Sequence, residues 1–202
     1  MKLIIKKIDK YIFFGTLKFL FYKFKEFFFN LNFKKYHHYQ ITNSNFYYTI
    51  LGGLADKYGT DKGFNNLNSR IFYNNWHPHN YTDFYSKIFD HNRQHIKNIL
   101  ECGIGSNNPN VPSNMGKDYK PGGSLKMWKE YFLNAEIYGA DIDKDILFTE
   151  DRIKTFYVDQ LSADSIKKMW EKIDKKNFDL IIDDGLHNFE AGTTFFNNSI
   201  EY

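Results

Sequence analysis

Four acidic residues, Glu101, Asp141, Asp159 and Asp184, each end or closely follow a short apolar run between positions 96 and 184 of a 202-residue chain. Glu101 opens ECGIG, Asp141 closes IYGAD, Asp159 closes TFYVD, and Asp184 stands in FDLIIDDGLH. Short apolar runs bounded by glycine and acidic turns read as buried strands. Open parallel sheets take their ligands just outside the carboxyl ends of the strands. One acid in such a turn is ordinary surface chemistry; four at consecutive strand ends read as one shared site.

The elements that must position these acids alternate. The stretch 96–100 is a strand candidate, followed by a loop rich in Pro and Asn. The segment 122–132, GGSLKMWKEYF, reads as an amphipathic helix with Ser124 as its cap and Leu125, Trp128 and Phe132 facing a core. AEIYGADID is a second strand ending at Asp141 and Asp143, and TFYVDQ a third ending at Asp159. A lysine-rich helix spans about 163–173. The stretch 178–182 is a fourth strand, ending at Asp183, Asp184, Gly185 and His187. Strands alternating with helices predict an α/β fold, a Rossmann-like parallel sheet with flanking helices. Upstream, in LGGLADKYGTDKG (51–63), Gly52, Gly53, Gly59 and Gly63 mark short turns. Tyr81, Phe84, Tyr85, Ile88 and Phe89 recur at helical spacing and predict a helix over 81–89.

The ligand follows from what the turn lacks. ECGIG is not GxGxxG, the fingerprint whose glycines let a pyrophosphate approach a helix N-terminus. An acid ahead of the first glycine repels pyrophosphate and suits a cationic ligand. Asp141 ends the second strand, where a carboxylate accepts both hydroxyls of a ribose; Asp159 ends the third, where an adenine edge would lie. Together they fit S-adenosylmethionine better than a nicotinamide dinucleotide. Cys102, inside the turn, reads as a small packed residue, since no activating partner is evident.

Charge is unevenly spread. Residues 1–40 carry nine lysines against two acids, a net +7. Residues 41–202 carry 18 basic residues against 22 acids, a net −4, and the whole chain is +3. An acidic body argues against nucleic acid as a partner, because neutralising phosphates needs a basic face. The single cysteine excludes a disulfide framework and places the chain in a reducing, cytoplasmic compartment. No run approaches the ~18 apolar residues of a spanning helix. Three regions follow: a basic aromatic helical arm over 1–40, a helical lead-in over 41–94, and the α/β domain over 95–202. The run ITNSNFYY at 41–48 reads as the linker between arm and body. The arm admits two readings. Its Phe and Leu could sit in a lipid boundary with Lys on anionic headgroups, at the inner face of the membrane. Alternatively its aromatics pack on protein, which is preferred because its lysines do not gather on one helical face. His37 and His38 are adjacent and point apart on a helix, which disfavours a metal role.

In order, KYGTDKG, WHPHNYTDFY, ILECGIG, GGSLKMWKEYF, IYGADID and FDLIIDDGLH resemble the class I S-adenosylmethionine-dependent methyltransferases. Within them, the likeness is to the metal-dependent sugar O-methyltransferases of the mycinamicin and related antibiotic pathways. It covers about 51–202 and leaves out the arm. The resemblance implies roles by position. Glu101, Gly103 and Gly105 would lie against the methionine part of the cofactor, with Ser124 near its carboxylate. Asp141 would hold the ribose, and Asp159 and Gln160 would border the adenine. Asp184 would be a Mg2+ ligand and His187 the general base that deprotonates a sugar hydroxyl; Asp183, on its own residue type and place, reads as structural. His79 and Tyr81 would stand near the active site.

The same resemblance sets expectations that the chain would not meet. The family has seven strands, and four are expected here. The Glu-Asp pair that completes the Mg2+ site in relatives has no counterpart, and Asp184 alone makes a weak site. The expected partners are therefore a glycan or glycosylated small molecule, with a homo-oligomer or a completing polypeptide left open. Three readings follow: an O-methyltransferase on a sugar hydroxyl, a truncated remnant that binds cofactor without turnover, and a membrane-surface protein acting through its arm.

Overall fold

A computed structural model describes residues 49–63, 81–173 and 175–202, all within the unit Tyr47–Tyr202. The arm 1–40 with His37 and His38, the run 41–48, and His79 lie outside the described residues.

The described chain forms α1 (Ile50–Tyr58), α2 (Tyr81–Phe89), β1 (Asn98–Cys102), α3 (Gly123–Tyr131) and β2 (Glu136–Asp141). After a single 3-10 turn at Lys144–Ile146 come β3 (Thr149–Glu150), β4 (Ile153–Tyr157), α4 (Ala163–Ile173), β5 (Leu180–Asp183) and α5 (Phe189–Asn197). The strands form one sheet in the order β3-β4-β2-β1-β5. All neighbours are parallel except the β3–β4 hairpin. The chain steps outward from β1 to β2 to β4, then returns to the other side of β1. That reversal makes the carboxyl end of β1 the switch point, the place where such sheets hold ligands.

Residue parity divides the sheet between two cores, since successive strand side chains point to opposite faces. Ile99 and Ile137 face one layer, with Leu51 and Ala55 of α1 and Leu125, Trp128 and Tyr131 of α3. Leu100, Cys102, Tyr138 and Ala140 face the other, with Met169 and Trp170 of α4 and Phe195 of α5. Arg152 closes the C-terminal end of α3: its guanidinium donates to the carbonyls of Lys129 and Ala135, each at 2.9 Å, where a helix end carries partial negative charge.

The two predicted helices over 81–89 and 163–173 coincide with α2 and α4. Three expectations change. The glycine-punctuated start of 51–63 is not a set of turns: Gly52 and Gly53 lie inside α1. Thr49 caps that helix by accepting from Gly52 N at 2.9 Å, and Gly59, at φ 67°, ends it. The cap and the packing of α1 offset a helix-interior glycine cost of about 1 kcal/mol each. Second, α2 turns Thr82 and Ser86 inward beside Tyr85 and Phe89, while Tyr81, Phe84 and Ile88 are exposed. Small polar residues let α2 approach α1 closely; a Cβ on Gly52 would stand 3.8 Å from Thr82 Oγ1. Third, a fifth strand, β3, was not expected; its two residues carry no periodicity to read. Among the described residues no helix is long and apolar enough to cross a membrane.

Candidate functional site

A cavity opens at the carboxyl ends of β1, β2 and β5. Its wall includes the Gly103–Ser106 turn, Ser124 at the start of α3, Asp141 and Asp184, together with Asp61 and Lys62 from the turn after α1. Tyr119 closes one side.

Two glycines make the turn. Gly103 and Gly105 have φ of 85° and 82°, the left-handed region that L side chains avoid. A Cβ on Gly103 would lie 2.2 Å from the Asp184 carbonyl oxygen, and one on Gly105 would lie 2.3 Å from the Tyr119 ring. The β1 and β5 loops therefore touch backbone to backbone. Gly103 N donates to Ala140 O and Asp184 N to Cys102 O, both at 2.8 Å.

Asp141 is held by neutral donors. Its Oδ2 accepts from Ile104 N and its Oδ1 from Asp143 N, each at 2.9 Å. Burial pushes this carboxyl above the usual aspartate range, and the amides pull against it. Each oxygen keeps a second lone pair. Asp143 in turn accepts from Ser106 Oγ and from Asp145 N, which ties the β2 end to the glycine turn.

Glu101 does not stand at the mouth. Strand parity puts it on the same face as Ile99, so its side chain enters the α3 core and is fully buried. There Oε2 accepts from Trp128 Nε1 at 2.9 Å, and Oε1 lies 3.1 Å from Lys62 Nζ. Burial raises the Glu101 carboxyl; Lys62 and the Ser124 hydroxyl act in the opposite direction. Lys62 also pairs with Asp184 Oδ2. Burial alone would lower the lysine, but Glu101, Asp184 and Asp61 overcome it and hold the ammonium well above its ordinary range.

Ser124 is not the cap of α3. Gly122 takes that place at φ 76°, a conformation serine avoids, and contributes no side-chain hydrogen bond. Ser124 instead lies in the first turn, buried, and its side chain helps to line the cavity. Asp159 and Gln160 do not line the cavity. Asp159 closes a local turn by accepting from Leu161 N at 3.0 Å. Gln160 bridges two loops: its Nε2 donates to Asp183 Oδ1 at 2.6 Å and its Oε1 accepts from Leu186 N at 2.8 Å. Asp183 also accepts from Gly185 N at 3.3 Å. His187 is half exposed, with Nε2 3.7 Å from Asp184 Oδ1. Cys102 is buried in the opposite core, and burial pushes its thiol well up, away from reactivity.

The structure therefore gathers Gly103, Gly105, Ser124, Asp141 and Asp184 around one cavity, with Glu101 beneath it. Lys62 is the residue that sequence reasoning missed. Its signal was the surplus of acid: carboxylates converging on one buried place require a cation, and KYGTDKG supplied one between two turn glycines.

No family model matches the chain. The 8-demethyl-8-alpha-L-rhamnosyl tetracenomycin-C 2'-O-methyltransferase of Streptomyces olivaceus is 31% identical over 137 residues, 68% of this chain and 30% of the relative. The mycinamicin VI 2''-O-methyltransferase of Micromonospora griseorubida is 34% identical over 123 residues, 58% of this chain and 27% of the relative. Among solved structures, the MycE methyltransferase of the mycinamycin biosynthetic pathway, in complex with Mg, SAH and mycinamycin VI, superposes with a TM-score of 0.55 at 28% identity. That match covers 74% of this chain and 33% of the other. The chain thus spans about a third of the length of the relatives it matches. Its homologues are sugar O-methyltransferases of the tetracenomycin and mycinamicin type, and its α/β architecture matches the class I methyltransferase fold.

Proposed function

We propose that this homologue of the sugar O-methyltransferases carries the cofactor half of an S-adenosylmethionine-dependent O-methyltransferase acting on a sugar hydroxyl of a glycosylated metabolite. The observation that carries it is the glycine cradle at the sheet's switch point, walled by Asp61, Asp141 and Asp184 with Lys62 as counter-charge. A cavity with three carboxylates in its wall against one ammonium favours a cationic ligand. S-adenosylmethionine, when bound, supplies a methyl group on a positively charged sulfur.

In this reading the Gly103–Gly105 backbone admits the ligand where any side chain would collide. Asp141 receives the ribose hydroxyls on the lone pairs its backbone amides leave over, and Ser124 stands near the amino-acid end. Asp159 and Gln160 serve the adenine side from the end of β4, Gln160 by holding the β5 loop in place. Glu101 acts from below, through Lys62 and Trp128. His187 accepts the proton of the acceptor hydroxyl, with Asp184 close enough to orient its imidazole. A divalent metal does not fit the described residues by themselves. They hold no cluster of three or more metal-ligating side chains, and Asp184 is already paired with the Lys62 ammonium. No step is assigned through a metal.

Calorimetric titration of S-adenosylmethionine into the full chain tests the cofactor reading. Saturable binding that Asp141→Ala weakens at least tenfold supports it; a folded chain with no affinity sinks it. Methyl transfer to a glycosylated acceptor that His187→Ala abolishes, with cofactor affinity kept, supports the catalytic half. Binding without any transfer would make the chain a cofactor-binding remnant.

A further inference from the structure

We propose that Lys62 is a positioning residue that sets the charge of the cavity. Its ammonium ties Glu101 to Asp184 and thereby sets how strongly the site prefers a sulfonium ligand over its neutral thioether counterpart. This inference rests on the cofactor reading above.

Lys62 is built into its place. Its side chain is 4% exposed, and lysine is almost never buried so deeply without a partner. The turn that carries it is locked from both sides. A Cβ on Gly63 would lie 2.6 Å from Ala55 Cβ, so the chain folds back tightly against α1. The Lys62 carbonyl accepts from Thr82 N at 3.2 Å, at the start of α2. The ammonium then reaches two carboxylates on neighbouring strands, Glu101 of β1 and Asp184 just past β5.

The two carboxylates differ in what else they face. Glu101 is sealed in the core against Trp128. Asp184 lines the cavity, and so does Lys62 itself. The ammonium is therefore both the core's counter-charge and part of the ligand's wall. A residue serving only the core would hold the turn in place, and its loss would weaken every ligand of the same shape alike. A residue serving as counter-charge to Asp184 acts on ligand charge. S-adenosylmethionine and S-adenosylhomocysteine share their shape but differ by one positive charge at sulfur, so the ratio of their affinities isolates the field. At an effective dielectric of about 20, one unit of charge about 12 Å away shifts such a ratio by about tenfold, and a nearer one by more.

The experiment compares Glu101→Gln with the pair Glu101→Gln/Lys62→Met in the full chain. Neither leaves the buried Glu101 carboxylate without its cation, which keeps both variants foldable where Lys62→Met alone strands a charge. The dissociation constants of S-adenosylmethionine and S-adenosylhomocysteine are measured by calorimetry for the wild type and both variants. The expected result is a preference for the sulfonium at least about tenfold greater in the pair than in Glu101→Gln, with Glu101→Gln/Lys62→Arg returning the ratio to that of Glu101→Gln. Equal weakening of both ligands, with the ratio unchanged, overturns the inference and leaves the cofactor reading standing. Failure of the folded wild type to bind either ligand removes the cofactor reading and this inference with it. A pair variant that unfolds while Glu101→Gln/Lys62→Arg folds and shifts the ratio away from that of Glu101→Gln also overturns it, because the charge would then be retained and the preference lost.

Discussion

The two sides of the cavity hold their carboxylates by different means. Toward β2, Asp141 is gripped by backbone amides from Ile104 and Asp143, residues of its own turn and of the turn beside it. Toward β5, Glu101 and Asp184 are gripped by Lys62, which arrives from the turn after α1. Neutral donors position a charge and leave it whole, so the β2 side still presents a full negative charge to a ligand. The one ammonium positions two carboxylates and cancels one of their two charges. The β2 side is therefore suited to accepting hydroxyl protons, and the β5 side to tuning the field around a reacting cation. The means also differ in what they demand of the fold: amide contacts come with the local turn, whereas the ion pair exists only when distant segments have docked.

That contrast can be broken by mutation, and the largest effect belongs to the ionic side. Lys62→Met strands the Glu101 carboxylate in the core and should destabilise the chain by about 3–5 kcal/mol in denaturant unfolding. A loss below about 1 kcal/mol would mean that Glu101 is not held by charge. Gly103→Ala strikes the seam between the two sides, through a left-handed φ and a backbone collision with Asp184. It should cost more than about 2 kcal/mol, read as a lower midpoint of thermal unfolding. Trp128→Phe removes the indole N–H from Glu101. The expected cost is about 1–3 kcal/mol, the penalty for a buried acceptor left short of a donor.

On the β2 side, Asp141→Asn replaces one accepting oxygen with a donor and should cost about 1–2 kcal/mol. It also carries a pH signature. Burial raises the Asp141 pKa above its ordinary 3.8 in the folded state. Just above that value the folded chain binds more protons than the unfolded one, so this group makes stability fall as pH rises there. The Asn variant should lose that share of the slope, and an unchanged slope would mean that the amides fully compensate the burial. The smallest effect is expected at Asp159, whose turn contact with Leu161 is local. Asp159→Ala should change stability by about 0.5–1 kcal/mol. A fall in cofactor affinity far beyond that of Asp141→Ala would move the centre of the site to the end of β4.

Much of this arrangement was legible in the chain. Short apolar runs bounded by glycine and acid marked β1, β2, β4 and β5, and apolar residues at helical spacing marked α2 and α3, because burying a strand or one face of a helix imposes those patterns on any sequence. The strand-end acids and the glycines of ECGIG were equally visible, since acid and glycine in a tight turn leave few structural alternatives. What stayed hidden turned on contact between distant segments. Gly52 and Gly53 look like turn residues, and only the docking of α2 and the cap at Thr49 make them helical. Ser124 looks like a cap, and only the folded chain puts the left-handed Gly122 in that place and Ser124 inside the first turn.

Glu101 and Lys62 divide the two kinds of information most clearly. The order of apolar runs placed Glu101 at the end of the first strand, and its parity with Ile99 assigned it a face of the sheet. Whether that face is solvent or core, and whether a cation meets it there, depends on α3 bringing Trp128 and on the turn after α1 bringing Lys62 across 39 positions of sequence. Local pattern specifies direction along a strand because the backbone repeats every two residues. Charge compensation is set by distance in space, and only the folded chain sets that distance.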